Sequence, residues 1–215
     1  MCDDKNMSET LITSLVTLGA VALGWFLGEG TSWLRESRKQ RQLISALIQE
    51  LDDCESYIRR NVITSELLIQ ALEVNAYLGF APIVIPQILF DHDYPEIAAR
   101  LTKSERVSFS SIHTKIRQMN AMSDKIASFL EKKSSQREAI KEFAELLAVF
   151  YIIAKQTIDL IMFHKTHGRQ IDAWALDSAK MIERELSYQA EVETLRAKAR
   201  ELGYDGVEKS IYTRI

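Results

Sequence analysis

Proline and glycine are scarce in this sequence, at three and eight of 215 residues. The prolines are Pro82, Pro86 and Pro95. With the common helix breakers so few, and Leu, Ile, Ala, Glu, Lys and Arg abundant, the composition favours helix throughout. Cysteine is scarcer still: Cys2 and Cys54 cannot build a disulfide framework, and Cys54 reads as a reduced core thiol. No excess of positive charge exists either, since the net charge of −3 gives no global attraction to nucleic acid. Catalytic and nucleotide-binding signatures are missing as well. The sequence has no GxSxG, HExxH, ExxH, CxxC or GxxxxGK[ST], and no GxGxxG after a strand. We therefore expect an all-α, non-enzymatic protein with no cofactor and no metal.

What the chain does have is one long uncharged run. The nineteen residues from Thr10 to Gly28, at about 1.5 Å each, span roughly 28 Å, close to the ~30 Å hydrocarbon core of a bilayer. Leu11, Ile12, Leu15, Val16, Leu18, Val21, Leu23, Phe26 and Leu27 supply its apolar surface. Trp25 and Trp33 lie toward its C-terminal end, where amphipathic aromatics favour the headgroup boundary. A cleaved signal peptide would carry a basic n-region and a small-residue cleavage site. Asp3, Asp4, Lys5 and Glu9, followed by Gly24-Trp-Phe-Leu, fit a retained anchor instead.

Orientation follows from Lys and Arg. Arg35, Arg38, Lys39 and Arg41 cluster after the run, against Lys5 alone before it. Basic residues stay on the cytoplasmic side, so residues 1–9 are expected outside an inner (plasma) membrane and the bulk of the chain inside. The cluster suits anionic headgroups better than nucleic acid. Ala20, Gly24 and Gly28 recur every four residues and share one helix face. Such small-residue faces let membrane helices pack closely.

Beyond the anchor (residues 10–34), residues 35–202 read as one cytoplasmic domain, a bundle of about four long helices. No Gly or Pro occurs from Thr31 to Leu78, although Gly28 and Gly30 mark a break point. Ile44, Leu47, Leu51, Cys54, Ile58, Leu68 and Leu72 form an apolar stripe that Asn61 and Ser65 interrupt. Residues 79–95 read as a loop with a short helix whose first position is Pro86 and which ends near Phe90. Asp91-His92-Asp93-Tyr94-Pro95 then reads as a turn into another short helix, Glu96 to Leu101. Thr102-Lys-Ser-Glu105 is a capping box opening a helix to about Lys132, with Ile112, Ile116, Met119, Ile126 and Leu130 on one face. Ser135-Gln-Arg-Glu138 repeats the device before a helix to about Lys165. Its run Leu146 to Ile153 is apolar nearly all round, which makes that helix central or partner-facing. Gly168 reads as its C-terminal stop. A last helix, with Trp174 and Met181 among its apolar positions, runs from Ile171 to Leu202, and 203–215 reads as a tail.

His164 and His167 sit one turn apart with Asp172 nearby, but two imidazoles without further ligands do not make a metal site. The layout resembles bacterial single-pass proteins in which a short anchor precedes a cytoplasmic helical domain, some of them antiphage effectors. The functional expectation is a membrane-anchored interaction or scaffold protein whose partners are the bilayer and a protein, by self-association or recruitment. The rival expectation is a membrane-disrupting effector, with Thr10, Thr13, Ser14 and Thr17 as hydroxyls on one face.

Overall fold

The computed structural model describes residues 3–76, 78–132, 137–167 and 178–214, with side chains described for residues 15–76, 78–131, 139–166, 180 and 182–209. The described residues form five helices and no strand: α1 (Asp3–Glu73), α2 (Ile88–Ala98), α3 (Lys103–Lys132), α4 (Arg137–His167) and α5 (Ser178–Arg214). The chain divides into two compact units, residues 1–46 and 47–215.

The first unit is the N-terminal part of α1. Gly28 and Gly30 lie inside the helix rather than ending it. A glycine inside a helix costs only about 1 kcal/mol relative to alanine, too little to break a run of good helix formers. The Thr31 hydroxyl also donates to the Gly28 carbonyl at 2.9 Å, closing the turn that the two glycines loosen.

The second unit holds the core. Leu47, Leu51, Cys54, Ile58 and Leu68 of α1 are buried, as are Ile112, Ile116, Met119, Ile126 and Leu130 of α3. On α4, Leu147, Phe150, Tyr151, Ile153, Ala154, Leu160 and Ile161 are buried, and this helix packs against both α3 and α5. Its central placement matches its nearly all-round apolar sequence. At the N-terminus of α3 the Thr102 backbone N–H donates to Glu105 Oε2 at 2.8 Å, and the Glu105 N–H donates to Thr102 Oγ1 at 3.2 Å. The capping box therefore forms as its spacing predicts. The second one, at Ser135, lies outside the described residues, as do Gly168, Ile171, Asp172 and Trp174.

Several local expectations are corrected. Pro86 precedes α2 rather than opening it, and Asp91 to Pro95 is helical rather than a turn. The physical reason is a distant cap: Glu50 of α1 accepts from the Leu89 and Phe90 N–H groups at 2.8 and 3.0 Å. The residue before the helix, Gln87, makes no side-chain cap of its own. The two polar interruptions of the α1 stripe are buried within it, with the Ser65 hydroxyl donating to the Asn61 carbonyl at 2.7 Å. Finally, the segment after Gly203 is helical to Arg214. Gly203 (φ 65°, ψ −176°) does interrupt the helix, as a C-terminal glycine would, and a second helical stretch follows it across a kink. Val207 beyond the kink is buried in a cluster with Leu67 and Ala199, which holds the second half of α5 in place.

Residues 81–87 form a non-helical strap held by polar side chains of α1 and α3. Asn61 accepts from the Ile83 N–H and donates to the Ile83 carbonyl, both at 2.8 Å. Asn120 does the same for Ile85, again at 2.8 Å. Each amide thus stands in for the neighbouring strand that this segment lacks.

Candidate membrane-contacting segment

The apolar residues described in the first unit are exposed. Leu15, Val16, Leu18, Val21, Leu23, Trp25, Phe26, Leu27 and Trp33 are each between 63% (Trp25) and 68% (Leu18, Leu27) exposed. These positions cover roughly 240° of the helix circumference, leaving only the arc of Thr17, Ala20, Gly24 and Gly28, so no rotation of α1 about its axis would hide them. Trp25 and Phe26 meet edge to face at 5.2 Å, covering only a little of each other. A Cβ built on Gly19, Gly24, Gly28 or Gly30 meets nothing within 4 Å. The small-residue face is therefore open. The side chains of Leu11, Ile12, Thr10, Thr13 and Ser14 lie outside the described residues.

Past the apolar run, Arg35, Arg38, Lys39 and Arg41 are all exposed. At about 100° per residue, Arg41, Arg38, Arg35 and Lys39 fall in order within an arc of about 160°. Glu29, Glu36 and Gln40 fall on the opposite side, where Gln40 Nε2 donates to Glu36 Oε1 at 2.6 Å. The helix here has one basic face and one that is acidic and polar.

Both α1 and α4 are long and apolar enough to cross a membrane by length and composition. Burial separates them: none of the apolar window of α1 is covered, against 44% of that of α4. The α4 helix is also tied to its neighbours by charge. Lys155 pairs with Glu191 at 3.1 Å and Asp159 with Arg184 at 3.1 Å. Near the end of α4, Lys165 bridges to Asp52 and to Glu55 of α1. Those bonds leave Glu55 with a pKa below, and Lys165 with one above, its ordinary value, despite the opposing effect of burial on each. The exposed part of α4 includes Val149, which with Phe129, Phe143 and Leu146 lines a groove of about 660 Å³ between α3 and α4.

Apart from His92, the described side chains that invite a chemical reading are paired or buried. Asp91 pairs with Arg117 at 2.5 Å, and His92 is exposed on α2. His164 is buried and shares a 2.7 Å hydrogen bond with Ser108 through Nδ1, with its pKa lowered chiefly by burial. The side chain of His167 is outside the described residues, and no group of three metal-ligating side chains occurs among those described. Cys54 is buried, its thiol directed at the Pro86 carbonyl at 3.6 Å. Burial, with Glu50 and Asp53 adding to it, pushes that thiol up to about 12, so it is not a nucleophile at neutral pH.

His113 has no conspicuous signal in the sequence, yet it is the most perturbed of the described histidines. Its ring stacks on Phe90 at 3.7 Å between centroids, and Nδ1 donates to Gln87 Oε1 at 3.1 Å. Burial, then the nearby Arg117, lowers its pKa to about 4, with Asp91 opposing. Glu50 is similarly unannounced, and burial outweighs its two backbone donors to raise its pKa. The sequence hint to these groups was polarity inside a helical stripe, as at Asn61 and Ser65.

No protein-family model, no curated protein and no solved structure matches this chain.

Proposed function

We propose that this chain is a non-enzymatic, single-pass membrane protein. In this reading residues 10–34 anchor it in an inner (plasma) membrane, and the helical unit works in the cytoplasm, associating with itself or recruiting a protein partner. The observation that carries the reading is the exposed apolar surface of α1 from Leu15 to Leu27, which runs round about two thirds of the helix. Each large apolar side chain gains about 1.5–3 kcal/mol on leaving water. A helix exposed over such a length is suited to a bilayer, whose core demands the internal backbone hydrogen bonding a helix supplies. The basic residues after the run support a cytoplasmic placement of everything that follows. Tethering raises the effective concentration of the helical unit for any partner at the same surface.

The two cysteines provide the test. On right-side-out spheroplasts, a membrane-impermeant maleimide is expected to label Cys2, while Cys54 stays unlabelled until the protein is unfolded. The protein should also stay with the membrane pellet through an alkaline carbonate wash. Labelling of Cys2 only after lysis would reverse the orientation, and release into the wash would remove the anchor.

A further inference from the structure

We propose that the basic face of α1 formed by Arg35, Arg38, Lys39 and Arg41 is a binding site for anionic phospholipid headgroups. The inference rests on the anchor reading above and adds the lipid class that it meets. Three observations converge. All four side chains are exposed. They share one arc of the helix, while Glu29, Glu36 and Gln40 occupy the other. The cluster also begins one turn or less beyond the exposed Trp33 and Leu34, at the depth where an anchor ending near Gly28 brings the helix out among the headgroups.

A phosphodiester presents to this face an acceptor that Arg can engage with two parallel N–H donors and Lys with a point charge. Near a membrane surface each Lys or Arg favours an anionic neighbour roughly fivefold. Four on one side act on the same few lipids, whereas four spread around the helix would not. The small residues Ala20, Gly24 and Gly28 fall on the same side of α1 as the basic arc, by the same 100° spacing. Two copies meeting through that side would bring their basic faces together, and bound anionic lipid supplies the counter-charge.

The experiment uses the full-length protein in mild detergent doped with equal amounts of phosphatidylcholine and phosphatidylglycerol, and the lipid retained by the protein is read by native mass spectrometry. The expected result is severalfold enrichment of phosphatidylglycerol. It should fall to the bulk ratio in the variant carrying Arg35→Gln, Arg38→Gln, Lys39→Gln and Arg41→Gln. Enrichment should persist in Arg35→Lys/Arg38→Lys/Arg41→Lys, which keeps the charge, and in Glu29→Gln, which alters the opposite face. The circular dichroism of each variant checks that the helices remain. Retention of both lipids at the bulk ratio by the unmodified protein overturns the inference and leaves the anchor standing. A protein that retains neither lipid and stays in solution without detergent overturns both.

Discussion

Asn61 and Asn120 show how much depends on single amides in this molecule. Each satisfies both backbone groups of one strap residue, Ile83 or Ile85. Truncating either to Ala strands an N–H and a C=O in a half-buried groove. The expected loss is about 2 kcal/mol each, read as a lower urea midpoint at unchanged slope, and no shift would mean that the strap is not held by these amides. At His113 the effect is one of pH. The folded ring titrates near 4 and the ordinary value is 6.5, so the unfolded chain takes up the proton first as the pH falls. Stability present above about 6.5 is therefore lost progressively down through about 4. Thermal melting of the protein across this window should decline more steeply than that of His113→Phe, which keeps the stack on Phe90 but cannot titrate. Some slope should remain, because His164 is depressed in the same direction.

Elements in this chain begin and end for two kinds of reason. The start of α3 is local, a capping box four residues long. The start of α2 is remote, because its cap, Glu50, comes from another helix. A reading of neighbours alone places the first correctly and the second wrongly. The α5 helix shows a third case. Gly203 looks like a stop, and its backbone does leave helical geometry, but the chain resumes its helix because Val207 finds a buried place beside Leu67 and Ala199. The conformation at Gly203 lies where side chains are disfavoured, while the space around it is open. Gly203→Ala should therefore cost about 1–3 kcal/mol through the backbone alone, measured as a drop in melting temperature. A neutral result would show that the kink relaxes.

For the whole molecule, the open glycines of α1 separate intramolecular from intermolecular packing. Because an added Cβ at Gly24 or Gly28 meets nothing within 4 Å among the described residues, Gly24→Ile/Gly28→Ile should leave melting of the helical unit unchanged. If copies associate through this side, the native mass in detergent should fall from oligomer toward monomer. An unchanged oligomer would place association elsewhere in the molecule. The comparison also tests the basic face, since anionic lipid should strengthen association in the unmodified protein and not in this variant.

The sequence by itself determined the helical class, the position of the apolar run, the charge difference across it and most of the buried positions on α3 and α4. These follow from composition, from a run long enough to count and from the 3.6-residue repeat, all of which are local properties of the chain. Tertiary structure alone decided which polar residues are buried. Asn61 and Ser65 read as gaps in a stripe, yet they belong to it, because their partners are the strap backbone and each other. It also decided the start of α2, the fate of the chain after Gly203 and the different environments of α1 and α4. The two helices also differ in cover, none of the apolar window of α1 against 44% of that of α4, and cover comes from residues distant in sequence.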